Sequence, residues 1–186
     1  IYGYLEIPEN DNYIAASVHA YCPYNFAMGD GDHMTFSDTN KTELDKIFKD
    51  IQTTFTNEDI PVVIGEFSAS NYNNTEARVD WATYYLNWAK KLGIPCFLWD
   101  NNAINNGSNA SESHGYLDRS SLQWFSASEP VIDAMLSVLD DSSVKWGSER
   151  HLPEYKHSDL SDATSVIYEN AEGGKFVDDK GNDSAY

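Results

Sequence analysis

Three apolar runs of strand length, each followed by a longer amphipathic stretch, occupy most of the chain. The strand candidates are "YIAASVHAY" (13–21), "PVVIGEF" (61–67) and "IPCFLWD" (94–100). Strands that alternate with helices run parallel and are covered on both faces, which makes them nearly continuous in apolar residues. The order therefore predicts an α/β fold with a parallel sheet, either closed into a barrel or doubly wound.

One helix is predicted after each strand, from apolar residues at helical spacing. The first is expected to begin with Asn40 as its N-cap and Glu43 three residues later, the spacing of a capping box. The second is expected over about 75–92, with Gly93 as its stop. The third is expected to begin after Ser128, which is its predicted N-cap. Its apolar stripe is formed by Val131, Ile132, Met135, Leu136 and Leu139.

The charge balance excludes several classes of partner. The 186 residues include 30 acidic and 12 basic side chains, which gives a net charge of −18. Phosphate binding requires Lys and Arg, so neither nucleic acid nor a membrane surface is a predicted partner. No apolar run reaches the length of a membrane span. The chain also lacks the G-x-G-x-x-G and G-x-x-x-x-G-K motifs, which counts against a nucleotide.

Neither a cofactor nor a disulfide framework is predicted. The two cysteines, Cys22 and Cys96, lie in or beside apolar strand patterns, which favours buried free thiols. Asp30, Asp32 and His33 could suggest a metal site, but a solvated polar loop is the favoured interpretation.

Polar and aromatic side chains occur where each predicted strand ends. These are His19 and Tyr21 at the end of the first strand, Glu66 in the second, and Trp99 and then Asn101 at the end of the third. Parallel sheets and barrels bind ligands at that edge. Taken singly, these residues also have structural interpretations. His19 could be a core histidine and Tyr21 a core tyrosine. Trp99 could cap the hydrophobic interior, and Glu66 could belong to an ion pair. Burial of an acid costs several kcal/mol without a partner, and no Lys or Arg neighbours Glu66 in sequence, so a functional site is favoured.

This set of side chains suits displacement at the anomeric carbon of a sugar. Glu66 on a rigid strand could attack that carbon, and hydrogen bonds from Tyr21 and His19 could hold its charge. Trp99 offers an apolar surface for a pyranose ring, and Asn101 could bind ring hydroxyls.

Four motifs carry a resemblance to a known family. "VHAY", "VVIGEF", "LWDNN" and "HGYLDRSSLQW" are similar to strands six, seven and eight and the closing segment of glycoside hydrolase family 5, in its cellulase and xyloglucanase branch. The resemblance covers about residues 1–140. It implies a (β/α)8 TIM barrel of which this chain holds strands six to eight only, plus a polar tail. It also implies that Glu66 is the nucleophile, His19 and Tyr21 the active-site pair, and Trp99 the sugar platform.

The activity that this resemblance implies is that of a secreted, retaining endo-β-1,4-glucanase, acting on a β-linked polysaccharide such as cellulose, lichenan or xyloglucan. No cofactor is implied. Two features depart from the family pattern. Ser68 stands where Gly usually follows the E-F pair, a change expected to affect the loop only. The N-E-P motif that carries the family's acid/base Glu is absent, and neither Glu6 nor Glu9 resembles it.

A site with only one of the two required carboxyl groups cannot catalyse the hydrolysis of a glycoside with retention. Retaining hydrolysis needs two carboxyl groups about 5 to 5.5 Å apart, and three strands cannot close a barrel. The missing N-terminal barrel half, strands one to five, is therefore the predicted partner, and the chain alone is expected to be inactive. Residues 1–141 are assigned to the catalytic barrel, 142–162 to a linker or surface tail, and 163–186 to the start of a β-rich module or a disordered end.

Two other functions stay open on the sequence. The first is a non-catalytic carbohydrate-binding α/β protein, in which Trp99, Tyr21 and Tyr24 hold a glycan and Glu66 only accepts hydrogen bonds from it. The second is a doubly wound α/β binding domain, which the missing phosphate loop disfavours.

Overall fold

A computed structural model describes residues 7–8, 14–28, 34–104 and 112–149, together with two short strands, 176–177 and 183–184. The chain divides into two compact units, Ile1–Leu152 and Pro153–Tyr186. In the second unit, β6 (Phe176–Val177) pairs antiparallel with β7 (Asp183–Ser184). The roles assigned to 142–162 and 163–186 stay predictions.

The first unit is built on a parallel sheet of three strands, as the sequence predicts. The strands are β1 (Ala16–His19), β2 (Val62–Phe67) and β3 (Cys96–Leu98), in the order β1-β2-β3. Ala16 pairs with Val62 and Phe67 with Leu98, whereas the register shifts after Val18 so that His19 pairs with Glu66. Successive strands are thus neighbours, and their carboxyl ends lie at one edge of the sheet.

Among the described residues, four α-helices accompany the sheet, at α1 (Tyr24–Ala27), α2 (Asp38–Thr54), α3 (Thr75–Leu92) and α4 (Glu129–Asp140). A 3₁₀ turn at Thr56–Glu58 follows α2. The described helices pack on the sheet and on one another through a single cluster of buried apolar side chains. Within the described ranges, none of these helices has the length and hydropathy that a membrane span requires.

The predicted start of α2 is wrong by three residues. Ser37, not Asn40, is the N-cap, and Asn40 occupies the third helical position. The Asn40 N–H donates to Ser37 Oγ at 3.3 Å, and the Ser37 N–H donates back to Asn40 Oδ1 at 2.9 Å. An Asn amide oxygen can therefore complete a capping box as a Glu does, and two good caps three residues apart cannot be ranked from sequence alone.

The bounds of α3 are confirmed at both ends. Gly93 adopts the left-handed conformation, with a φ of 66°, and its N–H donates to Lys90 O at 3.1 Å. Only glycine takes this conformation without a steric cost, so the position ends the helix as predicted.

Helix α4 begins after Ser128 as predicted, but the Ser128 side chain does not cap it. The hydroxyl instead donates to Gly115 O at 2.8 Å, in the segment that precedes α4. Leu136 and Leu139 of the predicted stripe are half exposed, and Val138 is buried in their place. Between Gly115 and α4 lies a short hairpin of β4 (Leu117–Asp118) and β5 (Gln123–Trp124).

Two side chains of α3 hold the backbone that leaves β1. The Trp81 indole N–H donates to Cys22 O at 2.9 Å, and the Tyr85 hydroxyl donates to Ala20 O at 3.0 Å. Both rings are fully buried. They fix the residues on either side of Tyr21, and so the helix that follows the second strand positions a side chain of the first. Cys22 is buried and Cys96 partly buried, and both are free thiols as predicted.

Candidate active site

Glu66 is the acid at the centre of the candidate site. It is the penultimate residue of β2, and its side chain is 29% exposed. The strand fixes its backbone on both sides, since β2 is the central strand of the described sheet. A carboxylate in this position is partly shielded from water yet still open to a ligand.

Tyr21 binds this carboxylate directly. Its hydroxyl donates to Glu66 Oε2 at 2.7 Å, a short hydrogen bond of the kind expected with an ionised acceptor. Burial, the hydrogen bond to Glu66 and the negative charges of Glu66 and Glu112 all raise the pKa of the Tyr21 phenol well above its ordinary value. Tyr21 therefore keeps its proton and acts as a fixed donor.

His19 approaches the same oxygen from β1. Its Nδ1 lies 3.4 Å from Glu66 Oε2, which is longer than a usual N–H···O hydrogen bond, and its side chain is 57% exposed. Gly65 leaves the space that the ring occupies. A Cβ built on Gly65 would lie 3.2 Å from the His19 ring and 2.6 Å from Ser17 Oγ.

The residues after β3 border the same edge of the sheet. The backbone N–H of Trp99 donates to the carbonyl oxygen of Phe67, the residue after Glu66, at 2.9 Å, and Trp99 is 42% exposed. The Asn101 amide is engaged on both sides by backbone, since Nδ2 donates to Glu112 O at 2.7 Å and Oδ1 accepts from the Ala103 N–H at 3.0 Å. Trp99 is thus open to a ligand, whereas Asn101 first holds its own loop in shape.

A buried polar cluster lies behind these residues, and the sequence interpretation missed it. His114 is 1% exposed, its Nδ1 lies 2.9 Å from Ser68 Oγ, and its Nε2 lies 3.1 Å from Ser70 Oγ. The Tyr116 hydroxyl shares a hydrogen bond with Ser68 at 3.2 Å. The expectation that Ser68 affects only the loop is therefore wrong, because its hydroxyl is a buried partner of two other side chains. Ser68 and Ser70 stand out in the sequence just after Glu66, but no sequence signal pairs them with His114.

No metal site emerges from the residues that the structure describes, since no three His, Cys, Asp or Glu side chains among them are grouped to hold an ion. The loop with Asp30, Asp32 and His33 lies outside the described residues.

Similar solved structures identify the class of protein to which this fold belongs. The chain is similar to a GH5-4 broad specificity endoglucanase from Ruminococcus flavefaciens, with a TM-score of 0.71 and 51% identity over 74% of this chain and 40% of that one. It is also similar to a GH5 xyloglucan-specific endo-β-1,4-glucanase from a metagenomic library, with a TM-score of 0.66 and 34% identity over 73% and 39% of the two chains. These neighbours are (β/α)8 barrels, so the parallel strands and helices of this chain are part of such a barrel.

The family follows from the sequence match. The family described as Cellulase (glycosyl hydrolase family 5) matches residues 2–105, and the chain belongs to that family. It matches the C-terminal portion of the family's domain.

Curated relatives agree with this assignment. Endoglucanase A of Clostridium longisporum is 43% identical over 124 residues, which are 65% of this chain and 23% of that protein. Endoglucanase B of Neocallimastix patriciarum is 37% identical over 119 residues, or 64% and 24% of the two chains. The chain thus spans about a quarter of the length of these relatives.

Proposed function

We propose that this chain is the C-terminal part, strands six to eight, of the catalytic barrel of a retaining endo-β-1,4-glucanase. The observation that carries the proposal is the hydrogen bond from the Tyr21 hydroxyl to Glu66 Oε2 at 2.7 Å, at the carboxyl edge of a parallel sheet. Active sites of barrel enzymes lie at this edge.

Glu66 is the proposed nucleophile. One carboxylate oxygen attacks the anomeric carbon of the β-glucan, and a bond forms between them while the bond from that carbon to the leaving oxygen breaks. The leaving oxygen takes a proton from an acid residue. Water then attacks the same carbon, its proton passes to the residue that had acted as acid, and Glu66 is released as a carboxylate.

Tyr21 and His19 are the proposed partners of the nucleophile. A phenol that keeps its proton can hold Glu66 in one orientation and stabilise its charge between turnovers. The imidazole of His19, 3.4 Å from the same oxygen, can tighten onto the carboxylate when a sugar fills the site.

The acid residue is proposed to come from the N-terminal half of the barrel, strands one to five. Within the described residues β1 and β3 form the two edges of the sheet, and a barrel has no such edges. The chain also spans 40% of the Ruminococcus flavefaciens structure that it matches. We therefore expect the 186 residues alone to lack glucanase activity.

The proposed substrate is a β-linked glucan such as cellulose, lichenan or xyloglucan. Support comes from the exposed indole of Trp99, which can lie under a pyranose ring, and from the names of the similar structures, a broad specificity endoglucanase and a xyloglucan-specific one. Asn101 is the proposed partner of a ring hydroxyl. A polymer of this size is degraded outside the cell, so we propose that the enzyme is secreted.

The test of this proposal is Glu66→Gln in the complete catalytic domain. Gln preserves the shape of the side chain but cannot form a stable glycosyl bond. We expect loss of turnover on carboxymethylcellulose, lichenan and xyloglucan, with binding to insoluble cellulose retained. Turnover that persists in the variant would remove Glu66 from its role. A wild-type domain that binds glucan without any turnover would instead indicate a non-catalytic carbohydrate-binding protein.

A further inference from the structure

His114 joins three parts of the candidate site, which are the segment before the hairpin, the segment after β2 and the ring of Tyr21. The histidine precedes the hairpin, and both nitrogens of its buried ring lie within hydrogen-bond distance of serine hydroxyls, Ser68 at 2.9 Å and Ser70 at 3.1 Å. These serines follow Glu66 by two and four residues, on the backbone that continues from β2. The Asn71 N–H donates to Ser113 O at 2.8 Å, which ties the two segments together a second time.

The same ring packs against Tyr21. The two ring centroids lie 5.8 Å apart with an angle of 64° between the planes, an edge-to-face arrangement. Tyr21 in turn donates its hydrogen bond to Glu66. One imidazole therefore contacts both the segment that carries the carboxylate and the phenol that holds the carboxylate.

The polar contacts suit an uncharged ring. A neutral imidazole has one donor and one acceptor, and serine hydroxyls can serve either. Burial lowers the pKa of His114, the charge of Arg78 lowers it further, and the charge of Glu112 acts in the opposite direction. An apolar ring of the same size would fill the space but would leave the contacts with Ser68 and Ser70 unmade.

We infer that His114 is a positioning residue for the nucleophile: it fixes the Tyr21 ring relative to the backbone that carries Glu66, and so sets the geometry in which the phenol meets the carboxylate. The inference rests on the proposed function for its catalytic consequence. It assigns His114 no contact with the substrate.

The experiment isolates the nucleophile's step. The probe is 2,4-dinitrophenyl 2-deoxy-2-fluoro-β-cellobioside, whose leaving group departs without protonation, so that formation of the glycosyl-enzyme depends on the nucleophile and not on the acid residue. The rate of dinitrophenolate release is measured for the complete catalytic domain, for His114→Phe and for His114→Asn. We expect His114→Phe to trap the probe roughly 10- to 100-fold more slowly at saturation, with the half-saturating concentration little changed. His114→Asn keeps a polar group at the level of Nδ1 and should recover part of the rate.

A double-mutant cycle separates positioning from general loss of stability. If His114 acts through the Tyr21 phenol, His114→Phe should slow trapping by less than about twofold in a Tyr21→Phe background. Equal losses in both backgrounds, or a wild-type rate in His114→Phe, would overturn the inference. The control is Asp45→Asn, which removes the negative charge of the carboxylate that accepts from the Tyr84 hydroxyl and the Trp88 indole, a contact that joins α3 to α2. It should lower the melting temperature and leave the trapping rate unchanged.

A measurement that needs no activity separates this inference from the proposed function. The ¹³Cζ resonance of Tyr21, assigned with Tyr21→Phe, reports the hydrogen bond of the phenol. It should move in His114→Phe in the same direction as in Glu66→Gln and stay unchanged in Asp45→Asn. A wild-type domain that never reacts with the probe contradicts the proposed function. An unmoved Tyr21 resonance in His114→Phe contradicts the positioning role.

Discussion

The Tyr21 hydroxyl lies 2.7 Å from Glu66 Oε2, although 45 residues separate the two in sequence. The contact is possible because β1 and β2 are parallel neighbours that end at the same edge of the sheet. Tyr21 is held from behind as well, by the bonds of Trp81 and Tyr85 to the backbone on either side of it. A phenol so constrained offers its donor to a single carboxylate.

Tyr21→Phe should lower kcat and leave KM nearly unchanged. A hydrogen bond to a charged group contributes about 1.5–3 kcal/mol, so a loss of roughly 10- to 100-fold is expected if the bond acts on the reacting carboxylate. Steady-state kinetics on a soluble β-glucan in the complete domain measure it. Tyr84→Phe is the matched control, because Tyr84 also donates to a carboxylate, Asp45, at 2.6 Å, but this hydrogen bond joins α3 to α2 and is not part of the candidate site. A wild-type kcat in Tyr21→Phe would contradict the role of the phenol.

Gly115→Ala should destabilise the fold and disturb the loop after β3. A Cβ there would lie 2.4 Å from Ala103 O and 2.9 Å from Ala103 C, and backbone atoms cannot rotate away as a side chain can. Overpacking of this kind costs roughly 1–3 kcal/mol, measured by thermal or urea unfolding. The Trp99 fluorescence should change with it.

Gly65→Ala provides the contrast. Its Cβ would meet Ser17 Oγ, which can change rotamer, and the His19 ring. We expect a smaller loss of stability than in Gly115→Ala but a lower kcat, because His19 is displaced from Glu66. Addition of Ser17→Ala should restore stability and not activity. Recovery of both would show that His19 placement is not involved.

Lys90→Met should weaken the end of α4. Lys90 is buried, and its Nζ donates to Val138 O at 2.7 Å, Leu139 O at 3.0 Å and Asp141 O at 2.6 Å. Loss of these charged hydrogen bonds should cost about 2–3 kcal/mol of unfolding free energy. Lys46→Met is the control, since the exposed Lys46–Asp50 pair on α2 should be worth at most about 1 kcal/mol. Equal losses in the two variants would contradict the capping role.

The stability of the fold should depend on His114 in mildly acidic solution. Burial lowers its pKa in the folded state from the ordinary 6.5, so the unfolded chain binds the proton more tightly. The neutral ring thus contributes stability at a pH above the pKa of the unfolded chain. This contribution is lost as the pH falls from the pKa of the unfolded chain to the lower pKa of the folded protein. The melting temperature of the wild type should fall more than that of His114→Phe between about pH 7.5 and about pH 5. Parallel pH curves for the two proteins would contradict a neutral buried His114.

The elements of the sheet and of α3 follow from the sequence because their signals are local. Apolar runs predict the parallel strands, and Gly93 marks the end of α3 by its backbone conformation alone. The start of α2 does not follow, because Ser37 and Asn40 are both good caps and only the geometry decides between them. The exposure of Leu136 likewise depends on what α4 packs against, which periodicity does not specify.

The candidate site is likewise predictable from the sequence only in part. The rule that parallel strands gather their ligands at the carboxyl edge suffices to place Tyr21, His19 and Glu66 together. It does not reveal the His114 cluster, whose members Ser68 and His114 are 46 residues apart, because no periodicity or spacing rule pairs a loop histidine with serines after a distant strand. For Asn101 the sequence predicts a contact with a sugar, but it does not reveal that the same amide forms hydrogen bonds with the backbone of its own loop.

The most direct test of Glu66 as the nucleophile is the site at which a covalent inhibitor attaches. The complete catalytic domain is inactivated with the fluorinated cellobioside, digested and mapped by mass spectrometry. We expect one glycosyl adduct per molecule, on the peptide that contains Glu66, and none in Glu66→Gln. An adduct on another residue, or release of dinitrophenolate with no adduct at all, would contradict Glu66 as the nucleophile.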